Sequence, residues 1–204
     1  MPQAGRDGDW KMMIVLARAL KNGKMTRSVK ISKVPHIVLI GPMGSGKSRV
    51  GRLLARRTRL PFVDTDQLIE EICGMKIPQF FTEFGETEFR RVEHLAVLDA
   101  CKGPAGIIAT GGGVVETPSN LRELRSKGVV FYLDVPVRIL AERLRGDTKR
   151  PLLKGKNHEE VLRQILMRRS PLYRKAHYSI RSGVLSPYET VSRILDLYDR
   201  CIKG

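Results

Sequence analysis

Short apolar runs alternate along the chain with longer segments in which apolar residues recur every three or four positions. Five runs have the character of β-strands, and they occupy residues 37–40, 62–66, 105–110, 129–133 and 178–180. The segments that follow them have the spacing of amphipathic helices, as at Val50, Leu53 and Leu54. Alternating strands and helices, with nearly continuous apolar strands, are typical of a parallel sheet. The pattern predicts an α/β fold with five strands.

Turn-forming residues delimit the predicted helices. Gly74 ends one helix, Gly85 interrupts a pair of helices, and Pro171 breaks the pattern that begins at His158. One helix is therefore predicted from the glycine loop to about residue 58, and a second one between the second strand and residue 74. Further helices are predicted over 77–84, 86–101, 118–127, 136–145, 158–169 and 187–201.

The composition indicates a globular protein. At 204 residues, with 42% hydrophobic and 28% charged residues, the chain suits one domain with a sizeable core. No apolar run approaches the roughly 20 residues that a membrane-spanning helix needs, so no membrane segment is expected. The three cysteines and four histidines show neither disulfide nor metal spacing. This favours reduced thiols and a cytoplasmic location.

The positive charge is partly concentrated at the start of the chain. Residues 1–35 contain eight Lys or Arg against two Asp, so they carry +6 of the formal charge of +16. Residues 1–33 have few apolar anchors and predict a basic, poorly ordered leader, with a targeting peptide or a start at Met25 as alternatives. A folded domain is expected over 34–204. We expect no nucleic-acid partner, because aromatic side chains that stack on bases make up only 6% of the chain.

A glycine-rich loop after the first strand carries the clearest chemical signal. Residues Gly41 to Ser48 follow the P-loop pattern G-x-x-x-x-G-K-[ST] between a predicted strand and a predicted helix. Glycines let backbone N–H groups surround phosphate oxygens, Lys47 supplies a positive charge, and Ser48 supplies a hydroxyl group for Mg²⁺. The motif predicts that the chain binds a nucleoside triphosphate.

Three further features suit a site for phosphate chemistry. Asp64 and Asp66 follow the second strand, where open α/β sheets place their ligands, although capping and solvation also explain such a pair. The glycines at 111–113 follow the third strand, and they indicate either close approach to the backbone or a flexible turn. Polar, basic residues 146–157 suit a mobile lid that brings Arg150 over a phosphate, or an exposed loop.

These features together favour a kinase, because phosphoryl transfer needs mainly alignment and charge neutralisation. The Asn-Lys-x-Asp run that guanine-specific GTPases use is absent from the sequence. Six motifs follow one another between about residues 36 and 200: Gly41 to Ser48, Asp64 to Asp66, Phe84 to Glu93, Gly111 to Gly113, Arg150 to Leu153 and Arg169 to Tyr173. In these motifs, which occur in the same order, the chain resembles the shikimate kinase family.

The resemblance implies ATP-dependent phosphorylation of the 3-hydroxyl group of shikimate, a step of aromatic amino-acid synthesis. It implies a three-layer P-loop fold like that of the nucleoside monophosphate kinases. In that fold a five-stranded parallel sheet of order 2-3-1-4-5 has helices on both faces and a mobile lid. The expected partners are ATP and shikimate, the expected cofactor is Mg²⁺, and the expected oligomeric state is a monomer.

The resemblance also implies the contacts to shikimate. Asp66 would hold the hydroxyl groups and orient, or accept the proton of, the attacking one. Arg90 and Arg169 would bind the carboxylate, and Glu93 would position Arg90. The substrate pocket would be completed by backbone N–H groups of Gly111, Gly112 and Gly113.

On the nucleotide side, the resemblance implies that Ser48 binds Mg²⁺ directly and that Asp64 holds it through water. Arg150 would stabilise charge on the transferring group, and Arg143 would stack near adenine. The catalytic residues are then Lys47, Asp66 and Arg150. The ATP-binding residues are Gly44, Ser45, Gly46, Lys47, Ser48, Arg49, Arg143 and Arg150.

Two other functions remain open from the sequence. A P-loop kinase for another polyol acid, such as gluconate, would need an acidic hydroxyl-binding residue but not both Arg90 and Arg169. A kinase-like protein without turnover would act as a binding module. Such a module would be expected to lack Lys47, Asp66 or Arg150, and all three are present.

Overall fold

The computed structural model describes residues 34–145 and 158–203. The predicted leader, the predicted lid and Arg150 lie outside these residues. Within them, one parallel sheet contains β1 (His36–Ile40), β2 (Phe62–Asp64), β3 (Ile107–Ala109), β4 (Gly128–Leu133) and β5 (Tyr178–Ile180). Its strand order is β2-β3-β1-β4-β5, which confirms the predicted order.

Helices follow the strands in the predicted alternation. The helices of the described residues are α1 (Lys47–Thr58), α2 (Thr65–Cys73), α3 (Ile77–Ala100), α4 (Pro118–Lys127), α5 (Val137–Arg143), α6 (His158–Tyr173) and α7 (Pro187–Lys203). A short 3₁₀ turn, Val114–Glu116, lies between β3 and α4. None of the helices in these ranges is long and apolar enough to cross a membrane.

Helices cover both faces of the sheet. Successive residues of β1 point to opposite sides of the sheet, so they pack against different helices. Ile37 and Leu39 pack in one cluster with Val50 of α1 and Ile194 of α7. Their neighbours in β1 pack on the other face with residues from α3, α4 and α6. All five β1 residues are buried. The sheet is therefore buried on both sides, as the apolar strand pattern predicted.

The predicted break at Gly85 is confirmed. Gly85 has φ 77° and ψ 177°, so the backbone leaves the helical conformation and α3 is kinked between its two halves. The first half carries Phe80, which packs with Phe89 of the second half and with Ile69 of α2.

The predicted end of α6 at Arg169 is wrong, because the helix continues through Pro171 to Tyr173. A proline inside a helix costs about 3 kcal/mol and removes one backbone hydrogen bond. The extra turn buries Tyr173 completely and stacks its ring on Tyr132, at 5.0 Å between ring centroids. Its hydroxyl group also donates a hydrogen bond to the carbonyl oxygen of Gly112. These tertiary contacts outweigh the local preference of proline.

The carboxyl ends of β1, β2 and β3 lie at one edge of the sheet because the strands are parallel and adjacent. The chain leaves these ends at Gly41, Asp64 and Thr110. The N–H group of Thr110 donates to the carbonyl oxygen of Leu39 at 3.2 Å, which continues the β1–β3 pairing up to the glycine triplet. The glycine loop, the acidic pair and the glycine triplet therefore meet at this edge.

Candidate functional site

The loop between β1 and α1 has backbone conformations that favour glycine. Gly41, Gly44 and Gly46 have φ angles of 145°, 76° and 93°. A Cβ atom at Gly41 would also lie 2.9 Å from the carbonyl oxygen of Leu133, so the end of β4 leaves no room for a side chain. The curved loop leads directly into the N-terminus of α1. That arrangement directs backbone N–H groups and the positive end of the helix dipole toward an anion.

Lys47, the first residue of α1, lies back along this loop. Its Nζ donates to the carbonyl oxygens of Gly41 and Pro42, at 2.8 Å each. A third contact joins Nζ to the hydroxyl oxygen of Ser45 at 3.3 Å. The lysine is only 8% exposed. Its charge is therefore held beside the anion cradle.

The two carboxylate oxygens of Asp64 have different partners. Asp64 Oδ1 accepts the N–H of Asp66 at 3.1 Å and so caps α2. Asp64 Oδ2 accepts the hydroxyl hydrogen of Ser48 at 2.5 Å. Capping therefore accounts for one oxygen of Asp64, and the other faces the phosphate loop. A hydroxyl and a carboxylate in contact supply the hard oxygen ligands that Mg²⁺ prefers.

The glycine triplet provides space for side chains of the site. A Cβ atom at Gly111 would lie 2.5 Å from Oδ1 of Asp66, and one at Gly113 would lie 2.3 Å from Nη1 of Arg90. A Cβ at Gly112 would lie 3.1 Å from the backbone nitrogen of Met43 in the phosphate loop. The triplet has no φ in the positive range, so conformational freedom is not the reason for it. Close approach of Asp66, Arg90 and the loop is the reason.

Two arginines from different helices meet beside the triplet. Arg90 of α3 donates from Nη1 to Glu93 at 2.9 Å, and from Nη2 to Glu116 at 2.8 Å. Arg169 of α6 donates from Nη2 to the same Oε2 of Glu116 at 2.6 Å. Its Nη1 lies 3.4 Å from the carbonyl oxygen of Gly112. The two guanidinium groups are thus joined through one carboxylate oxygen.

Burial and neighbouring charges both shift the pKa values of Arg90 and Glu93. Burial lowers the pKa of Arg90, but the neighbouring carboxylates of Glu93, Glu86 and Glu116 outweigh it and raise that pKa above its ordinary value. Burial raises the pKa of Glu93, and the charge of Asp66 adds to the rise, while Arg90 opposes it. Arg90 therefore stays cationic at any physiological pH, which suits it for binding an anion.

The remaining predicted nucleotide residues are less enclosed. Arg143, at the end of α5, donates from Nη1 to the carbonyl oxygen of Gly44 at 3.2 Å, so it borders the phosphate loop. Arg49 is exposed on the first turn of α1. The described part of the site therefore brings together every predicted site residue except Arg150, which lies outside the described residues, and Arg49, whose side chain points to solvent.

Two residues of the site were not predicted. Glu116 bridges the two arginines, yet it lies in a short 3₁₀ turn that has no motif or periodicity to indicate it. Tyr173 donates to the carbonyl oxygen of Gly112, and burial raises its pKa to about 12. Its spacing of four residues from Arg169 places both on one helix face, which was a usable signal once α6 was continued past Pro171.

Comparisons with known proteins agree with this geometry. The family model for shikimate kinase matches residues 43–199. A shikimate kinase from Thermodesulfovibrio yellowstonii is 41% identical over 169 residues, which are 83% of this chain and 98% of that protein. The structure of shikimate kinase from Acinetobacter baumannii in complex with shikimate is 39% identical, with a TM-score of 0.78 over 81% of this chain and 93% of that one.

A gluconokinase from Sinorhizobium meliloti superposes less closely. Its TM-score is 0.55 over 82% of this chain and 93% of that one, with 18% sequence identity, so the likeness extends to the fold alone. The shikimate kinase relatives, in contrast, match in sequence as well as in structure over nearly their whole length. Together with the glycine loop, the acidic pair and the paired arginines on one sheet edge, these matches show that the chain belongs to the shikimate kinase family.

Proposed function

We propose that the chain transfers the γ-phosphoryl group of ATP to the 3-hydroxyl group of shikimate, giving shikimate 3-phosphate and ADP. The observation that carries this proposal is the convergence of Arg90 and Arg169 on one carboxylate oxygen, beside the glycine triplet. A pair of guanidinium forks suits a substrate that carries a carboxylate. The phosphate loop lies at the same sheet edge and supplies the nucleotide side.

For the acceptor, Asp66 holds the hydroxyl groups and accepts the proton of the attacking one. Its Oδ1 lies close to Gly111, where a Cβ atom would come within 2.5 Å. The backbone N–H groups of the triplet complete the pocket. With the carboxylate on the arginines and a hydroxyl on Asp66, the substrate is fixed at two ends, and this alignment is the main requirement of phosphoryl transfer.

For the nucleotide, the N–H groups of residues 44–49 bind the phosphates, and Lys47 moves from the loop carbonyls to the β- and γ-phosphate oxygens. Arg143 lies beside the adenine, and Arg150 neutralises charge on the transferring group. Mg²⁺ would be bound by Ser48 directly and by Asp64 through water, and it would screen the phosphate charge. The contact between Ser48 and Asp64 fits such a site, because a few protein oxygens would suffice for an ion that keeps water and phosphate ligands.

The proposal also includes the oligomeric state, the cellular location and the partners of the enzyme. The protein acts as a monomer in the cytoplasm, with ATP and shikimate as its partners. Its three cysteines are unpaired thiols, as a reducing compartment requires. Residues 1–33 form a leader that catalysis does not need.

The test is a coupled assay of ADP release with ATP and Mg²⁺, and with shikimate, gluconate or no acceptor. We expect ADP release that depends on shikimate, with the full chain and with a chain that begins at Met25. Release with gluconate alone would assign Arg90 and Arg169 to another substrate. No release with either acid would favour a binding module, and loss of activity in the shortened chain would make the leader part of the enzyme.

The carboxylate assignment has its own test in Arg90→Lys. One point charge would replace a planar fork that now reaches both Glu93 and Glu116, so we expect KM for shikimate to rise about tenfold or more. The KM for ATP should stay within about twofold. Arg91→Lys is the matched control, since Arg91 is exposed and pairs with Glu88. An unchanged KM for shikimate in Arg90→Lys would remove Arg90 from carboxylate binding.

A further inference from the structure

One carboxylate of the chain itself lies between the two arginines that the proposed function assigns to the substrate. Glu116 Oε2 accepts from Nη2 of Arg90 at 2.8 Å and from Nη2 of Arg169 at 2.6 Å. These arginines come from α3 and α6, whereas Glu116 ends the 3₁₀ turn after the glycine triplet. A substrate carboxylate on the same two guanidinium groups would need the same hydrogen-bond donors.

We propose that Glu116 is an internal ligand, which holds the carboxylate subsite in the free enzyme and is displaced by the carboxylate of the substrate. Glu116 thereby sets the affinity for the acid without touching the reacting groups. The inference rests on the proposed function, because that function supplies the competing carboxylate. It concerns a residue that neither the motifs nor the spacing of the sequence indicated.

The charge balance of the cluster supports displacement. Arg90 and Arg169 contribute two positive charges, Glu93 and Glu116 contribute two negative ones, and the exposed Glu86 places a third carboxylate on Nη2 of Arg90. Glu93 is 1% exposed and is held on Nη1 of Arg90 at 2.9 Å, so it cannot leave. A substrate carboxylate would add a further anion to two largely buried cations that already have carboxylate partners, and an uncompensated buried charge is costly. Departure of Glu116 keeps the number of carboxylates on the two arginines unchanged.

Glu116 is also better able to move than Glu93 and the two arginines. Its side chain is 26% exposed, against 19% for Arg90, 6% for Arg169 and 1% for Glu93. Rotation of the side chain toward solvent therefore releases the subsite without a change in the backbone. Arg90, in contrast, packs against Gly113, and Arg169 reaches the carbonyl oxygen of Gly112. The donors stay in place while the internal acceptor leaves.

An unused donor gives the substrate its advantage over Glu116. The Nε of Arg169 is buried, and no acceptor within 34–145 or 158–203 meets hydrogen-bond geometry with it. In a guanidinium group, Nε and Nη2 lie on one edge, and Nη2 is the atom that contacts Glu116. Glu116 thus satisfies only one of two parallel donors. A carboxylate placed side-on accepts from both, and such bidentate pairs are the stronger ones.

The decisive variant is Glu116→Gln, which keeps the size of the side chain and removes its charge. We expect KM for shikimate to fall about 3- to 10-fold, the change expected if Glu116 occupies the subsite in roughly 70–90% of free molecules. The kcat should change by less than about twofold, because Glu116 makes no contact in the transition state. Calorimetric titration with shikimate in the absence of ATP should show the same decrease in Kd.

Two further variants make the result specific. Glu86→Gln removes another carboxylate from Nη2 of Arg90, but Glu86 is 65% exposed and is not recorded on Arg169, so KM should change by less than about twofold. Glu116→Asp keeps the charge on a shorter side chain that reaches the arginines less well. Its KM should lie between those of the wild type and Glu116→Gln. It also tests the proposal if Glu116→Gln does not fold.

The outcomes separate this inference from the proposed function. A wild-type chain that phosphorylates shikimate, with a KM in Glu116→Gln that is unchanged or higher, would overturn the inference alone and make Glu116 a support for the arginines. A wild-type chain that neither binds nor phosphorylates shikimate would overturn the proposed function and the inference with it. A lower KM in Glu116→Gln together with an equal decrease in Glu86→Gln would assign the effect to general charge, and would also overturn the inference.

Discussion

Replacement of Lys47 by alanine is expected to lower kcat by about 10²- to 10³-fold, the range seen when one stabilising donor is removed from a transition state. Lys47 Nζ now lies 2.8 Å from the carbonyl oxygens of Gly41 and Pro42, within the loop that would surround the phosphates. The lysine therefore needs only a side-chain rotation to reach a transferring phosphoryl group. Alanine leaves that group without its cation.

The Lys47→Ala measurement needs a check on folding, because the same lysine satisfies buried carbonyl groups. Loss of these hydrogen bonds costs roughly 1–3 kcal/mol of stability. Thermal unfolding should show a lower Tm with an intact cooperative transition, so that low kcat is measured on folded protein. Lys102→Ala is the matched control, since Lys102 is exposed in the turn after α3 and far along the chain from the loop. A kcat within tenfold of the wild type in Lys47→Ala would contradict the assigned role.

Replacement of Asp66 by asparagine is expected to lower kcat by about 10²- to 10⁴-fold, the usual contribution of a general base. Asparagine has nearly the same shape, so the close fit of Asp66 Oδ1 against Gly111 is retained. The cap of α2 is also retained, because the cap uses the side chain of Asp64 and only the backbone N–H of Asp66. The change is therefore limited to charge and proton acceptance.

Nucleotide binding separates this effect from structural damage. In Asp66→Asn the Kd for ATP should stay within about twofold, because residues 44–49 are unchanged. Asp196→Asn, an exposed change on α7, is the control for loss of one negative charge. Turnover near the wild-type level in Asp66→Asn would remove Asp66 from the chemistry and leave it a role in hydroxyl binding only.

Local sequence signals were sufficient to predict the loops and helix breaks in which the backbone adopts a conformation that favours glycine. Gly41, Gly44 and Gly46 have positive φ angles, so their spacing marks the phosphate loop directly. Gly74 ends α2 in the left-handed region, and Gly85 interrupts α3 with a positive φ and an extended ψ of 177°. The backbone conformation at these positions favours glycine, so the positions can be recognised from the sequence.

Local signals did not predict features that depend on contacts between residues far apart in the chain. Pro171 predicted the end of a helix, but burial of Tyr173 against Tyr132 and the hydrogen bond to Gly112 continue α6 for another turn. Glu116 has no periodicity, cap role or motif of its own. Its partners are 26 and 53 residues away along the chain, so no local pattern reveals that it joins two arginines.

The sequence by itself determined the α/β class, the five strands, the glycine loop and, through six motifs in order, the family. The class, the strands and the loop follow from hydrophobic periodicity and glycine conformation, which depend on neighbours along the chain, whereas the family follows from the resemblance of the motifs. Only the tertiary structure decided that Asp64 both caps α2 and faces Ser48, that the triplet makes room for Asp66 and Arg90, and that Glu116 lies between the arginines. Those arrangements depend on elements that meet through packing of the parallel sheet, and the energies that fix them come from contacts between residues far apart in sequence.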